Sequence, residues 1–142
     1  MDDCIFCGIF AGRLPASMVY RDERCAAFMD IRPVTPGHLL VVPVRHAAYL
    51  AELDAEDGAQ LFRVAQRLAA ALRQSGVRCE GVNLFLADGE AAGQEVYHVH
   101  LHVLPRFRGD GFGLRFPPGY GHRPPRPELD EIAGRIKGVL SA

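Results

Sequence analysis

The chain carries almost no excess charge of either sign. Its formal net charge is -1, and no run of Lys or Arg stands out. This excludes the electrostatic footprint of a nucleic-acid binder and the basic patch of a membrane-surface protein. A nucleotide-sized ligand would therefore be gripped by local groups and not by a global positive field. Long apolar runs are missing too: no segment approaches the ~18 uninterrupted apolar residues of a membrane span. The start, "MDDCIFCGIF", is acidic and lacks the basic and apolar regions of a secretory signal. Internal repeats and low-complexity linkers are absent. Four cysteines without a secretory signal fit a reducing compartment better than a disulfide scaffold, so a cytoplasmic address is expected.

What is present is ordinary globular material. With 142 residues, 49 % hydrophobic and 23 % charged, the chain is long enough to bury one core, and we read 1–142 as one domain. "SMVYRDERCAAFMDI" reads as a hairpin, with strands 18–20 and 25–31 around the polar turn 21–24. "HLLVVPV" (38–44) is a continuous apolar run, as in a strand buried on both faces. Leu61, Val64, Ala65, Leu68 and Leu72 recur at helical spacing, with Asp54 as N-cap and Gly76 just past the end. Strands 81–87 and 95–105 flank the turn "DGEAAGQ" and form an antiparallel hairpin. Residues 105–127 form a Gly/Pro-rich loop, and 128–141 a short amphipathic helix with Leu129, Ile132, Ala133, Ile136 and Leu140 on one side. The class expected is α+β with an antiparallel sheet, one long helix and a C-terminal helix.

Half of the six histidines fall in "VYHVHLHVLPR" (96–106). On a strand His98, His100 and His102 project together, while Val99, Leu101 and Val103 face the core. Imidazole suits chemistry at neutral pH, because a neutral ring can attack phosphorus and a neighbouring ring can stabilise phosphate oxygens or serve the leaving group. Crowding keeps the rings from charging together, which favours one neutral nucleophile. The bland alternative is the wet face of an ordinary strand.

"GQEVYHVHLHVLPR" resembles the signature of the histidine-triad (HIT) proteins, His-φ-His-φ-His-φ-φ with φ apolar, preceded by Gly-Gln-x-Val. "CIFCGIFAGRLPASMVYRDERCAAFMDIRPVTPGHLLVVPVRH" is similar to the N-terminal half of bacterial members. The resemblance implies a HIT-like fold, usually a homodimer, and a nucleotidyl hydrolase or transferase acting at an α-phosphorus. It implies that His100 is the nucleophile and forms a nucleotidyl-histidine intermediate, with His102 on the phosphate or the leaving-group atom. Gln94 and backbone groups near Val96 would contact phosphate, and His38 matches a further family histidine beside the site. Asp30 would hold ribose, with Ile31 and Phe28 packing on the base; read alone, Phe28 and Ile31 would be core. The chain departs from the family pattern at Ala87, where many members carry Asn or Gln, and at Glu95, where some branches carry Ser or Thr.

Cys4 and Cys7 have the Cys-x-x-Cys spacing of a zinc knuckle, and lie too near the start to open a helix after a strand as a redox pair does. A closed tetrahedral site needs two more ligands, and the resemblance to zinc-containing HIT members implies His46 and His98. His98 would then be withdrawn from chemistry. Cys25 and Cys79 read as small buried hydrophobes.

The leading expectation is a zinc-stabilised hydrolase acting on a purine nucleoside phosphoramidate or a dinucleoside polyphosphate. A nucleotide-binding regulatory protein with negligible turnover is the alternative. A third reading gives the whole histidine cluster to metal.

Overall fold

In a computed structural model, residues 3–140 are described; Ser141, the last residue of the expected C-terminal helix, and the first two residues of the acidic start lie outside them. Five strands form one sheet in the order β1-β2-β3-β5-β4, with β1 Met18–Arg21, β2 Cys25–Met29, β3 Leu39–Pro43, β4 Gly81–Phe85 and β5 Leu101–Arg106. Every neighbouring pair is antiparallel. The Arg21–Arg24 turn closes because the Asp22 carboxylate accepts from the Arg24 and Cys25 amides at 2.7 and 2.8 Å. That local side-chain bond is what a short Asp turn offers. β3 is buried at all five positions, as an uninterrupted apolar central strand should be.

The expected long helix is α2, Ala55–Gln74. Asp54 caps it by accepting from the Glu56 and Asp57 amides, and Gly76 takes φ +85 just beyond Ser75. Leu61, Val64, Ala65, Leu68 and Leu72 are buried, and they share a core with Leu39, Val41, Leu101 and Val103 from the sheet and with Val99 just before β5. Asp57 is also buried, which periodicity does not foresee; Arg24 and Arg45 clamp it at 2.7 and 3.0 Å.

α2 covers one face of the sheet. On the other, Ala26, Phe28, Leu40 and Val42 pack with Phe6 of α1, Ile5–Phe10. This six-residue helix was not expected. It starts at Cys4, whose Sγ accepts the Cys7 amide at 3.4 Å.

The described chain divides into two compact units with the boundary after Phe112. The second holds Gly/Pro-rich chain, in which Phe116 and Tyr120 stack at 4.1 Å, and then helix α3, Arg126–Leu140. α3 begins two residues earlier than the apolar pattern suggests, and Leu129, Ile132 and Ile136 are exposed. No described helix is long and apolar enough to cross a membrane.

Candidate functional site

The three triad histidines were expected on one regular strand from residue 95, but β5 begins only at Leu101. Before it the backbone serves other partners: the Val99 amide donates to Ala47 O at 2.8 Å and not to a ladder neighbour. The alternation survives the correction. Val99, Leu101 and Val103 are buried in the core under α2, and His102 lies opposite Leu40, on the face that Phe28 and Phe6 share. His98 and His100 are buried, His102 half-buried.

Backbone carbonyls separate the roles of these rings, because a carbonyl can only accept. His98 Nε2 lies 2.8 Å from Pro43 O, so Nε2 carries the proton and Nδ1 is a bare lone pair. His100 is reversed. Its Nδ1 donates to His98 O at 2.8 Å, which leaves Nε2 unprotonated. His38 accepts the Val34 amide on Nδ1 at 3.1 Å, so its Nε2 donates to His102 Nδ1 at 2.9 Å. His102 therefore presents Nε2–H. Asp30 stands behind this pair, 3.6 Å from His38 Nε2, and its other oxygen accepts the Arg32 amide.

Burial pushes His98 and His102 down to about 4, the neighbouring imidazoles adding to the effect. Burial also lowers His100 and His38, opposed by the Asp30 carboxylate. All four are neutral rings at pH 7. Phe6 closes the cluster from the α1 side, edge-on to His98 at 5.6 Å and to His100 at 5.2 Å. Phe85 covers His102 from β4, stacked at 4.1 Å. Sequence reasoning passed over both aromatics. Phe6 sits inside Cys-x-x-Cys, and Phe85 reads as one more strand hydrophobe until strand parity is counted, which sets it on the face opposite Val82, Leu84 and Leu86.

Among the described residues two groups of side chains gather metal-ligand atoms, and tautomer logic separates them. In the first, His98 Nδ1 is 3.3 Å from Cys4 Sγ, 3.6 Å from Cys7 Sγ and 3.2 Å from His46 Nδ1, and His46 Nδ1 is 3.4 Å from Cys7 Sγ. Metal bonds of about 2.0–2.3 Å at tetrahedral angles put ligand atoms roughly 3.3–3.8 Å apart, which these spacings match. His98 offers a lone pair there, with its second nitrogen anchored on a carbonyl as metal-bound imidazoles usually are. Burial and the adjacent Cys4 raise the Cys7 thiol above its ordinary value, the penalty that a cation in this cage would reverse. The donor set fits a soft tetrahedral cation such as zinc. The second group, Asp30, His38 and His102, does not fit. The Val34 amide occupies His38 Nδ1, so the nitrogen facing the group bears a proton, and the trio is a hydrogen-bond relay.

The nucleotide-side residues are distributed as follows. Ile31 is 91 % exposed beside Asp30, a position that core packing does not explain. Phe28 is 2 % exposed and belongs to the Phe6 cluster, with ring centroids 5.7 Å apart; Val96 packs against the same cluster. Gln94 is buried, and its amide accepts from Gly89 N at 2.7 Å and donates to Ala48 O at 2.7 Å and Val96 O at 3.1 Å. It pins the Gly89–Val96 loop. Glu95 is turned outward, 3.4 Å from the Arg32 guanidinium. Burial and the Asp22 carboxylate push the Cys25 thiol up to about 12, so it is inert filler; Cys79 is half-buried against the α2 core.

The family model described as HIT domain matches residues 11–109. An uncharacterized HIT-like protein of Borreliella burgdorferi is 42 % identical over 116 residues, which is 81 % of this chain and 84 % of that protein. Among solved structures, a Streptococcus mutans protein superposes with a TM-score of 0.90 at 38 % identity, over 99 % of this chain and 87 % of its own. A Zn-bound histidine triad family protein from Mycobacterium smegmatis superposes with a TM-score of 0.76 at 44 % identity, covering 82 % of this chain and 84 % of its own.

Proposed function

The chain belongs to the HIT domain family, and from that premise we propose that it is a nucleotidyl hydrolase or transferase. Its substrates are purine nucleoside phosphoramidates or dinucleoside polyphosphates. The observation that carries the reading is the His100 tautomer: Nδ1 is committed to His98 O, so the free Nε2 lone pair is the nucleophile. A neutral imidazole at neutral pH needs no base to activate it.

In the first half-reaction His100 Nε2 bonds to the α-phosphorus and the phosphorus bond to the leaving group breaks, its electron pair going to the departing atom. His102 Nε2–H hydrogen-bonds that atom, and solvent supplies its proton. Water then attacks phosphorus and releases a proton to solvent, the Nε2–phosphorus bond breaks with its pair returning to nitrogen, and a nucleoside monophosphate leaves. Asp30 accepts from the ribose hydroxyls and exposed Ile31 packs on the base, while Phe28, 2 % exposed, backs the site from the Phe6 cluster. The Gly89–Val96 loop, pinned by Gln94, brings backbone groups at Val96 to the phosphate; His38 fixes the tautomer of His102. Zinc, held by Cys4, Cys7, His46 and His98, is structural and ties α1 to the sheet. The working form is a homodimer in the cytoplasm, acting on free nucleotide conjugates and not on nucleic acid or membranes.

The test is turnover of adenosine phosphoramidate and diadenosine tetraphosphate by wild type and His100→Ala. Removal of the nucleophile lowers kcat by about a thousandfold or more, and a denaturing quench traps an adenylylated peptide containing residue 100 in wild type alone. Wild type that binds AMP yet turns over neither substrate would refute the proposal. For zinc, metal analysis of wild type and Cys4→Ser decides: an unchanged zinc stoichiometry overturns the ligand set.

A further inference from the structure

β4 directs its apolar side chains to two sides. Val82, Leu84 and, just past the strand, Leu86 pack against the core under α2, whereas Phe85 belongs to neither core cluster and is 39 % exposed. It lies directly opposite His102 in the β4–β5 register. The two rings are stacked with centroids 4.1 Å apart and planes within 13° of parallel. The contacts of His102 with its imidazole neighbours are longer and inclined, 5.0 Å and 61° to His100, 5.1 Å and 43° to His38.

We propose that Phe85 is a positioning residue for leaving-group departure: its face holds the His102 ring in the plane from which Nε2–H meets the departing atom. The inference rests on the nucleotidyl-transfer reading above. His102 is held on its Nδ1 edge by the 2.9 Å bond to His38. A single bond at one edge fixes that corner and leaves the ring free to tilt about the bond axis; a phenyl face at stacking distance removes the tilt. Small misplacements of a group that acts on the reacting atoms are expensive in rate. The location also argues for a role at the site: Phe85 joins neither core cluster, and its ring face lies on the His102 imidazole.

The experiment uses a series of adenosine 5′-phosphate aryl esters, whose phenols leave with different ease, assayed with wild type, Phe85→Leu and Phe85→Tyr. kcat/KM reports transfer to His100. In Phe85→Leu we expect it to fall about tenfold for the poor leaving group phenol and less than about threefold for 4-nitrophenol, because a mis-set donor matters most where negative charge builds up most. The plot against phenol acidity therefore steepens, and Phe85→Tyr, which keeps the face, restores the wild-type slope. Phe85→Met, apolar but without a face, steepens it like Leu and serves as the second variant if Leu unfolds, as judged by the urea midpoint. Parallel lines for wild type and the Leu or Met variant, or a Tyr variant as steep as Leu, overturn the inference alone. Wild type inert toward every ester overturns the parent reading and this inference with it.

Discussion

Acid should unfold this protein through its neutral histidines, and His102 gives the clearest case. Its folded value is pushed down to about 4 by burial and by the neighbouring His100 and His38, against an ordinary 6.5. The folded state thus binds its proton less readily than the unfolded chain does. Stability from this group is fully present above pH 6.5 and is lost progressively as pH falls from there towards 4. At pH 5 proton binding stabilises the unfolded chain by RT ln(1 + 10^1.5), about 2.1 kcal/mol, and the folded chain by RT ln(1 + 10^-1), about 0.1 kcal/mol, a difference of about 2 kcal/mol. With a urea slope of about 2 kcal/mol/M for a domain of this size, that is a midpoint shift of roughly 1 M. The assay is urea unfolding at pH 8 and pH 5 for wild type and His102→Asn, whose side-chain oxygen can still accept from His38 while nothing at 102 titrates. Wild type should lose about 2 kcal/mol more than the variant between the two pH values. Equal losses would refute the claim that burial holds His102 neutral.

Three further outcomes follow from single contacts. Phe6→Ala removes a ring that is 5 % exposed and borders His98, His100 and Phe28, so it should cost about 3 kcal/mol by urea unfolding and lower zinc affinity in a competition titration. Asp57→Asn leaves two guanidinium groups facing an amide that accepts at one atom; we expect a loss of about 2 kcal/mol in the urea midpoint, with turnover per folded molecule unchanged. Gln94→Ala frees Gly89 N, Ala48 O and Val96 O, so amide exchange at Gly89 should accelerate at least about tenfold, as one lost bond worth about 1.4 kcal/mol implies. Unchanged exchange there would mean that Gln94 does not pin the loop.

Much of the fold was legible because burial imposes a period. The run 38–44 gave β3, the Leu61–Leu72 spacing gave α2 with its Asp54 cap, and period two put Val99, Leu101 and Val103 under that helix. What period alone misses is local or tertiary. α1 is six residues long, with no room for a helical repeat, and its cap is a thiol. β5 starts late because tertiary acceptors, Ala47 O for the Val99 amide and Pro43 O for the His98 ring, draw the chain away from the ladder. Asp57 reads as one more solvated acid of a first helical turn until Arg24 and Arg45, brought from separate segments, cover it.

The candidate site divides along the same line. Alternation is enough to bring three imidazoles to one place, and the Cys-x-x-Cys spacing is enough to suggest a knuckle. Neither says which nitrogen of any ring is free, and on that the chemistry depends. For two rings the choice is made by groups remote in sequence: Pro43 O for His98, and His38 for His102. For His38 and His100 it is local, the Val34 amide four residues back and the carbonyl of His98 two residues back. A local bond of this kind is set by the backbone shape of 98–100, and that shape is the irregular stretch before β5. Had the strand run unbroken from residue 95, carbonyl 98 would point along the ladder to a neighbouring strand, and His100 would lose the acceptor that holds its proton on Nδ1. The departure from regular structure is therefore what leaves the Nε2 lone pair free.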